Sequence, residues 1–584
     1  MNYLLRDSCI KFSNAIGFIL IAIFSILIYT SELIGYTISM YTSIPPLYWI
    51  LFFIPLVIGI ANSVFLIATK YNPILLFETI LLMFITRLIF SCLPILKGIS
   101  MWGTGDPVTH LYEFNVILNT GHFASGLYYP ISHVLLSCVT IITNSDLQYI
   151  FLRSNYILFI PAILGVYLLA RELFQNKTQV MLYIIITFAL ISGFGMFFPI
   201  SNAYSIAPLF IFLFLKASKT DTFNSKTYML LSILFCILYI PFHPHAVACL
   251  IIIFCTFLLF EKCSKYYAIP EFIKSNYSAI IILLLGILFF AWYSSFGMFK
   301  IGILKIADSF SVSYNPSQFD SLLNTASTAS SYGYNPIEYG LRTYYSLIII
   351  LFFTLIALYF IYRDWQHGVK KYTLLILYPS IAIFISITIL LYIGKYDGYG
   401  PERFLGFATL FGFFAMIYAL HQLFFGQAKS NRVYFLKIVI LFLFILGWCS
   451  MNFAVSYPSP FTLSWSPQYV ESDKVSIDWI KANSINFDVN SITLQLVLQR
   501  NGIGIHYAPF HFNYNSKPHL GSSFDKYQYL LINKLDQILY IELFPNLAKD
   551  RWYSHDFLRL DNDFSVNKIH TVGETNIWLI SPQK

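Results

Sequence analysis

The chain has 584 residues, of which 57% are hydrophobic, 19% aromatic and only 11% charged, with a mean hydropathy of +0.67. Soluble globular chains carry about 25% charged residues, so one water-soluble fold is excluded for most of the length and a polytopic membrane protein is predicted. The formal charge of +8 does not mark a nucleic-acid binder, because the basic residues are scattered among short loops and never form a run with interleaved aromatics.

Apolar windows of membrane-spanning length recur from residue 13 to about residue 453. The first, from Phe12 onward, runs past ~20 residues with no small-residue cleavage site, and reads as a retained helix rather than a signal peptide. Further apolar segments fall near 47–69, 73–96, 129–143, 149–170, 179–198, 203–216, 227–242, 246–260, 277–297, 341–361, 372–393, 403–424 and 433–453. None of the cysteines has CxxC spacing, and Cys92, Cys138, Cys236, Cys249, Cys255 and Cys449 lie inside apolar segments. Neither a disulfide framework nor a cysteine zinc site is indicated.

If every segment crossed the membrane, the loop "RELFQNK" (171–177) would fall outside, against the positive-inside rule. The segment "YYPISHVLLSCVTIIT" offers the remedy. From Ile131 to Thr143 it has about 13 residues, the length of an interfacial or re-entrant helix. If it does not cross, about seventeen Lys and Arg residues lie inside, among them Arg6, Lys11, Lys70, Arg171, Lys216, Arg363 and Lys429, against about seven outside. The expectation is an α-helical polytopic membrane protein with about 13 transmembrane helices, a cytoplasmic amino terminus and a transmembrane domain over 1–456.

After Tyr457 the composition shifts through the Pro/Ser-rich "SYPSPFTLSWSPQ" to a small α/β or α+β domain over 457–584, extracytoplasmic by parity. There "ESDKVSIDWIKAN" (471–483) has roughly helical spacing of Val475, Ile477, Trp479 and Ile480, and "SITLQLVLQ", "YQYLLIN" and "NIWLIS" read as strands. No internal repeat or low-complexity tract is present.

Parity turns scattered polar residues into one set on the outer face. The loop 97–148 carries "GTGDPVTHLY", with Asp106 and His110 followed by Glu113 and His122; "FHPHA" carries His243 and His245; "GKYDGYGPERF" carries Lys395, Asp397, Glu402 and Arg403. Asp106, His110 and Glu113 are spaced i, i+4, i+7 and would share one helix face. Asp106 has two readings: a helix N-cap with Pro107 at the first helical position, or a general base whose basicity rises in a water-excluded pocket. For "FHPHA", Pro244 accounts for a helix break, whereas the two imidazoles suit phosphate binding or a metal site completed by an acid. Arg403 stands where an outer loop enters an apolar helix, so it either snorkels or receives a phosphate. Arg87 is a second charge at membrane depth, and pairing within the bundle would account for it. The long loop 298–340, with Tyr332 and Tyr334, reads as a lid or an unstructured connector whose tyrosines either stack on a sugar or belt the interface.

The run "GDPVTHLYEFNVILNTGHF" followed by "YYPISHVLLSCV" and "YLLARELF" resembles the GT-C superfamily of polytopic glycosyltransferases, which includes protein O-mannosyltransferases and the aminoarabinose transferase of lipid A. The likeness is tightest over about residues 73–200, and the WWDYG motif of oligosaccharyltransferases is absent from the tail. The resemblance implies a polyprenyl-phosphate sugar donor and a glycan, lipid or protein acceptor with a free hydroxyl. Asp106 matches the family's loop acid, which deprotonates that hydroxyl for an inverting displacement at the anomeric carbon. Arg403, Lys395, His243 and His245 would stabilise the departing lipid phosphate, with His110, Glu113, Tyr332 and Tyr334 positioning substrate. No cofactor is called for by the motifs, and a divalent metal is left open. The competing classes are a polytopic lipid or glycan transporter or flippase, which should show half-repeats and mid-membrane charges, and a non-catalytic envelope-assembly protein, which would have no special need of Asp106.

Overall fold

The computed structural model describes the chain outside residues 1–2, 32–34, 70–71, 100, 104, 125, 175, 191–197, 219–224, 267–276, 310–317, 367–374, 394–400, 427–429, 484–487, 501–502, 504–518, 547–551, 553 and 584. It opens with α1 (Tyr3–Thr30), α2 (Pro46–Ala68), α3 (Pro73–Ser91) and a short turn α4 (Leu93–Leu96). Strand β1 (Met101–Trp102) then leads into α5 (Asp106–Thr120), α6 (Ile131–Thr143), α7 (Leu147–Ile157) and α8 (Phe159–Leu173). The bundle continues through α9 (Lys177–Ala189), α10 (Pro199–Ser218), α11 (Ser225–Tyr239), α12 (Pro244–Tyr266), α13 (Tyr277–Tyr293), α14 (Gly297–Ser309), α15 (Gln318–Ser331) and α16 (Pro336–Gln366). Helices Leu377–Ile393, Leu405–Phe425 and Asn431–Ser456 complete it.

Among the described residues nine helices are long and apolar enough to cross a membrane, and ten if α13 and the start of α14, bent by 105°, count as one span. The protein is therefore a multi-pass helical membrane protein. Apolar side chains such as Phe12, Leu283, Phe290 and Leu355 remain exposed on these helices, as expected where the solvent is hydrocarbon. A polar chain ties α1, α2 and α3 within the bundle: Asn14 donates to Thr79 Oγ1 at 2.9 Å, and Asn62 donates to Asn14 at 2.9 Å. Arg87 bonds to the Thr187 carbonyl of α9, so this charge does pair inside the bundle. Gly165 lets α8 meet α10 closely, since a Cβ there would lie 2.7 Å from the Leu209 backbone nitrogen.

The helix ends sort into two groups. In one, Asn72 donates to Asp7 at 3.0 Å, Lys216 pairs with Glu172 at 2.6 Å, and Tyr418 donates to Asp364 at 2.7 Å. In the other, Tyr36 donates to the Ser466 carbonyl at 2.9 Å, Asn202 to Ser132 at 3.3 Å, Trp292 to the Tyr128 carbonyl at 2.9 Å, and Arg342 to the Phe461 carbonyl at 2.8 Å. Helix α6 lies within this second group. Its 13 residues span about 20 Å, short of the ~30 Å hydrocarbon core. Phe114 of α5, Leu136 of α6 and Ile150 and Phe151 of α7 share a small core of their own.

Beyond Ser456, strand β2 (Gln468–Tyr469) pairs antiparallel with β1, and helix Glu471–Asn483 follows. A four-stranded sheet is then built from β3 (Asp488–Ser491), β4 (Gln528–Ile532), β5 (Val566–Val572) and β6 (Thr575–Ile580) in the order β3-β4-β6-β5. Its β3–β4 pair is parallel and the others antiparallel. The alternation of a strand is plain in β4: Leu530 and Ile532 enter one core with Trp578 and Ile580, while Tyr529 and Leu531 enter a second with Ile577, Ile477 and Ile480. This second core also takes in Met101 of β1 and Val108 of α5.

Two expectations are corrected. "SITLQLVLQ" is not one strand: β3 ends at Ser491 and a short helix, Gln495–Arg500, follows, putting Val497 and Leu498 into the core. In helix Glu471–Asn483 the expected helix is present, with Ile477 and Ile480 buried and Val475 40% exposed. The 298–340 segment is not an unstructured connector, because α14 and α15 occupy most of its described residues.

The grouping of helix ends predicts a labelling pattern. In a background without the native cysteines, Ser145→Cys and Asp561→Cys should react with a membrane-impermeant thiol reagent from the same side, and Lys177→Cys from the other. With His122→Cys added as a reporter before α6, reaction of residue 145 from the side opposite to residue 122 would mean that α6 crosses.

Candidate functional site

Helix α5 begins at Asp106 behind Gly105, which stands at the N-cap and supplies no side-chain bond. Asp106 is thus not the N-cap: it occupies the first helical position, with Pro107 after it, and its side chain is exposed. A carboxylate in the first turn still complements the helix dipole. Among the described residues, no water-excluded pocket closes around it.

One and two turns further on, the same stripe of α5 carries His110 and Glu113 inward. His110 is 6% exposed, and His133, on the first turn of α6, is 0% exposed. Their polar atoms converge: His110 Nδ1 lies 3.2 Å from Glu113 Oε2, His133 Nε2 lies 3.2 Å from the same oxygen, and the two ring nitrogens are 3.2 Å apart. Among the described residues this is the one group of three His, Cys, Asp or Glu side chains with the spacing to hold a metal ion. Burial pushes the Glu113 carboxyl up, but hydrogen bonds and attraction from His110 and His133 outweigh it and hold it at about 2. Burial lowers the pKa of His133; its hydrogen bond to Glu113 opposes this and the nearby His110 adds to it. An ionised carboxylate thus sits beside an imidazole biased toward its neutral form.

Tyr129 joins this cluster to a second. Its ring centroid is 6.2 Å from that of His110, 6.4 Å from His133 and 5.2 Å from His243. His243 ends the break between α11 and α12, and its Nδ1 accepts from the His245 backbone N–H at 3.3 Å, covering an orphan donor at the start of α12. The neutral ring then carries its proton on Nε2 and offers one N–H. Burial, followed by the proximity of His245, Arg403 and His110, depresses His243 to about 3. "FHPHA" therefore supplies a neutral donor here, rather than a cation.

His245 packs against Phe404 with centroids 4.4 Å apart, and its ring hydrogen-bonds to the Arg403 backbone. Tyr204 of α10 donates to the Arg403 carbonyl at 2.9 Å. These contacts fix the turn Pro401–Phe404 while the Arg403 side chain stays exposed. His110, Glu113, His243, His245 and Arg403 are thus brought into one chain of contacts. Tyr332 and Tyr334 follow α15, where Tyr334 packs on Phe544, with centroids 6.4 Å apart. His122 is exposed just past α5. Lys395 and Asp397 lie outside the described residues, as does the side chain of Glu402. Sequence reasoning passed over His133 and Tyr129. The available signal was a histidine within an otherwise apolar run directly after a proline.

No protein-family model matches this chain, and no curated protein matches it.

The depressed pKa of His243 has a sign that can be measured. Between its ordinary value of ~6.5 and about 3 the unfolded chain holds a proton that the folded chain does not, so its contribution to stability is complete above pH 6.5 and is lost as pH falls. His243→Asn, which keeps a capping acceptor, should flatten the fall in thermal stability between pH 6 and pH 4, by at most about 1.4 kcal/mol per pH unit. Equal slopes in detergent-solubilised native and variant protein would show that His243 does not titrate this way.

Proposed function

We propose that this chain is a membrane glycosyltransferase of the GT-C type, moving a sugar from a polyprenyl-phosphate donor to a hydroxyl acceptor at the outer face of the cell membrane. The observation that carries this reading is the gathering of His110, Glu113, His243, His245 and Arg403 around Tyr129 and Phe404, at the ends of α5, α12 and Leu405–Phe425, on one face of the bundle. A transporter would instead concentrate such groups along a path through the membrane.

The topology proposed with it has thirteen spans. These are the nine long helices, the bent α13, and α9, α11 and Leu377–Ile393 among the shorter apolar ones, with α6 at the interface. Lys and Arg bias then places the Arg6, Arg171, Lys216 and Arg363 ends in the cytoplasm, and the site and the carboxy-terminal sheet outside.

In this mechanism the lipid tail lies against the bundle and its phosphate meets Arg403, whose planar guanidinium matches phosphate oxygens. In this reading His243 donates its Nε2–H to the substrate. Asp106, one turn before His110 on the same stripe, takes the proton of the acceptor hydroxyl as that oxygen attacks the anomeric carbon. The glycosyl C–O bond to phosphate breaks and the lipid phosphate leaves with the electron pair. Because Asp106 is exposed, water is excluded only when acceptor and donor cover it, so its basicity rises with substrate bound.

Asp106→Asn should lower transfer from a polyprenyl-phosphate sugar by at least about 100-fold with abundance and thermal stability unchanged. Arg403→Ala should raise the KM for donor by about 10- to 100-fold, the range for a lost charge-assisted hydrogen bond. Native turnover in Asp106→Asn would remove the mechanism, and native donor kinetics in Arg403→Ala would remove the phosphate contact.

A further inference from the structure

We propose that His110, Glu113 and His133 form a binding site for a divalent transition-metal ion of the zinc class. This inference is independent of the sugar-transfer reading. It rests on the triangle made by His110 Nδ1, His133 Nε2 and Glu113 Oε2, each edge of which measures 3.2 Å.

An ion bonded to two imidazole nitrogens and a carboxylate oxygen sits about 2.0–2.1 Å from each. With edges of 3.2 Å the corners lie about 1.85 Å from the triangle's centre, so the ion fits about 1 Å out of the plane with ligand–metal–ligand angles of about 103°. That is near tetrahedral, with the fourth position left to water or a substrate oxygen. The chemistry of the ligands selects the ion. Magnesium and calcium prefer all-oxygen shells, whereas two imidazoles and one carboxylate suit zinc and its neighbours.

The alternative is a hydrogen-bonded trio in which both imidazoles donate to the same Glu113 oxygen. Two N–H groups aimed at one oxygen from nitrogens only 3.2 Å apart hold their hydrogens against each other. As lone pairs on one cation, the same two nitrogens need no such contact. Burial points the same way: side-chain exposures of 8%, 16% and 0% for His110, Glu113 and His133 leave an anion with little water, which a bound cation would neutralise. The elements are also suited to the task. His110 and Glu113 are i, i+3 on α5 and so lie on one face, while His133 comes from α6, so the ion would bind the two helices together.

The full-length protein, purified in detergent without chelator, should contain about one zinc per chain by elemental analysis. After stripping, it should take up Co2+ with the visible d–d bands of a tetrahedral site. Glu113→Gln and His133→Ala should weaken Zn2+ affinity at least about 100-fold, and His122→Ala, in the exposed turn past α5, should not. His133→Cys guards against a variant that merely misfolds: loaded with Co2+, it should gain a thiolate-to-cobalt charge-transfer band. Failure of native protein to bind added Zn2+ or Co2+ would overturn the site, as would native affinity in Glu113→Gln or a His133→Cys spectrum without the thiolate band. Sugar transfer is read separately, so loss of either proposal leaves the other standing.

Discussion

A hydrocarbon solvent leaves polar groups few places to go, and this constraint organises the molecule. Backbone N–H and C=O groups inside the bilayer must bond within helices, and charged side chains must pair or retreat to the ends. The bundle follows both rules. Arg87 takes the Thr187 carbonyl, and Asn14 and Asn62 bond to each other. Chemistry in such a chain is confined to its two faces. The face that receives α5, α6, the α11–α12 break and the Pro401–Phe404 turn carries His110, His133, His243 and His245.

What holds α5 in place is a core shared between two parts of the chain. Val108 packs with Ile477, Val497, Leu498 and Leu531 of the carboxy-terminal sheet and its helices, and Met101 joins them through the β1–β2 pairing. Six residues on, Phe114 belongs to a different core with Leu136 and Phe151. Helix α5 is therefore gripped on the sheet side by its first turn and on the α6–α7 side by its third. His110 and Glu113 lie between the grips, which is where a site requiring geometry within a fraction of an ångström is best supported. The carboxy-terminal sheet is, on this view, part of the framework of the site.

Hydropathy and charge made most of the bundle legible, including the short segment 131–143, whose length already set it apart. Helical spacing of Ile477 and Ile480, and the β-prone runs "YQYLLIN" and "NIWLIS", were equally plain. "SITLQLVLQ" was misleading because a short buried helix and a buried strand both present continuous apolar side chains. At the site, the i, i+3 pair His110 and Glu113 could be read from α5 alone. His133 could not, since its value comes from the packing of α6 on α5, a tertiary contact with no local periodicity. Asp106 was legible as a helix start but misplaced by one position, within the usual uncertainty of helix ends.

The charges on this face are divided in a way that narrows what it can bind. Glu113 is held ionised and half-buried between two imidazoles, His243 is held neutral with one N–H to offer, and Arg403 carries its charge into solvent from a turn fixed by Tyr204 and His245. A cation is favoured at Glu113 and an anion at Arg403, with Tyr129 and His243 between them. A ligand that spans the two must therefore be polar at both ends and negative at the Arg403 end. Apolar surface on Leu405–Phe425 begins directly beyond that arginine, so the negative end is also the end nearest the hydrocarbon. The proposed donor, a lipid phosphate bearing a polar head, would meet all three conditions, whereas a free sugar or a simple inorganic anion would meet only some of them.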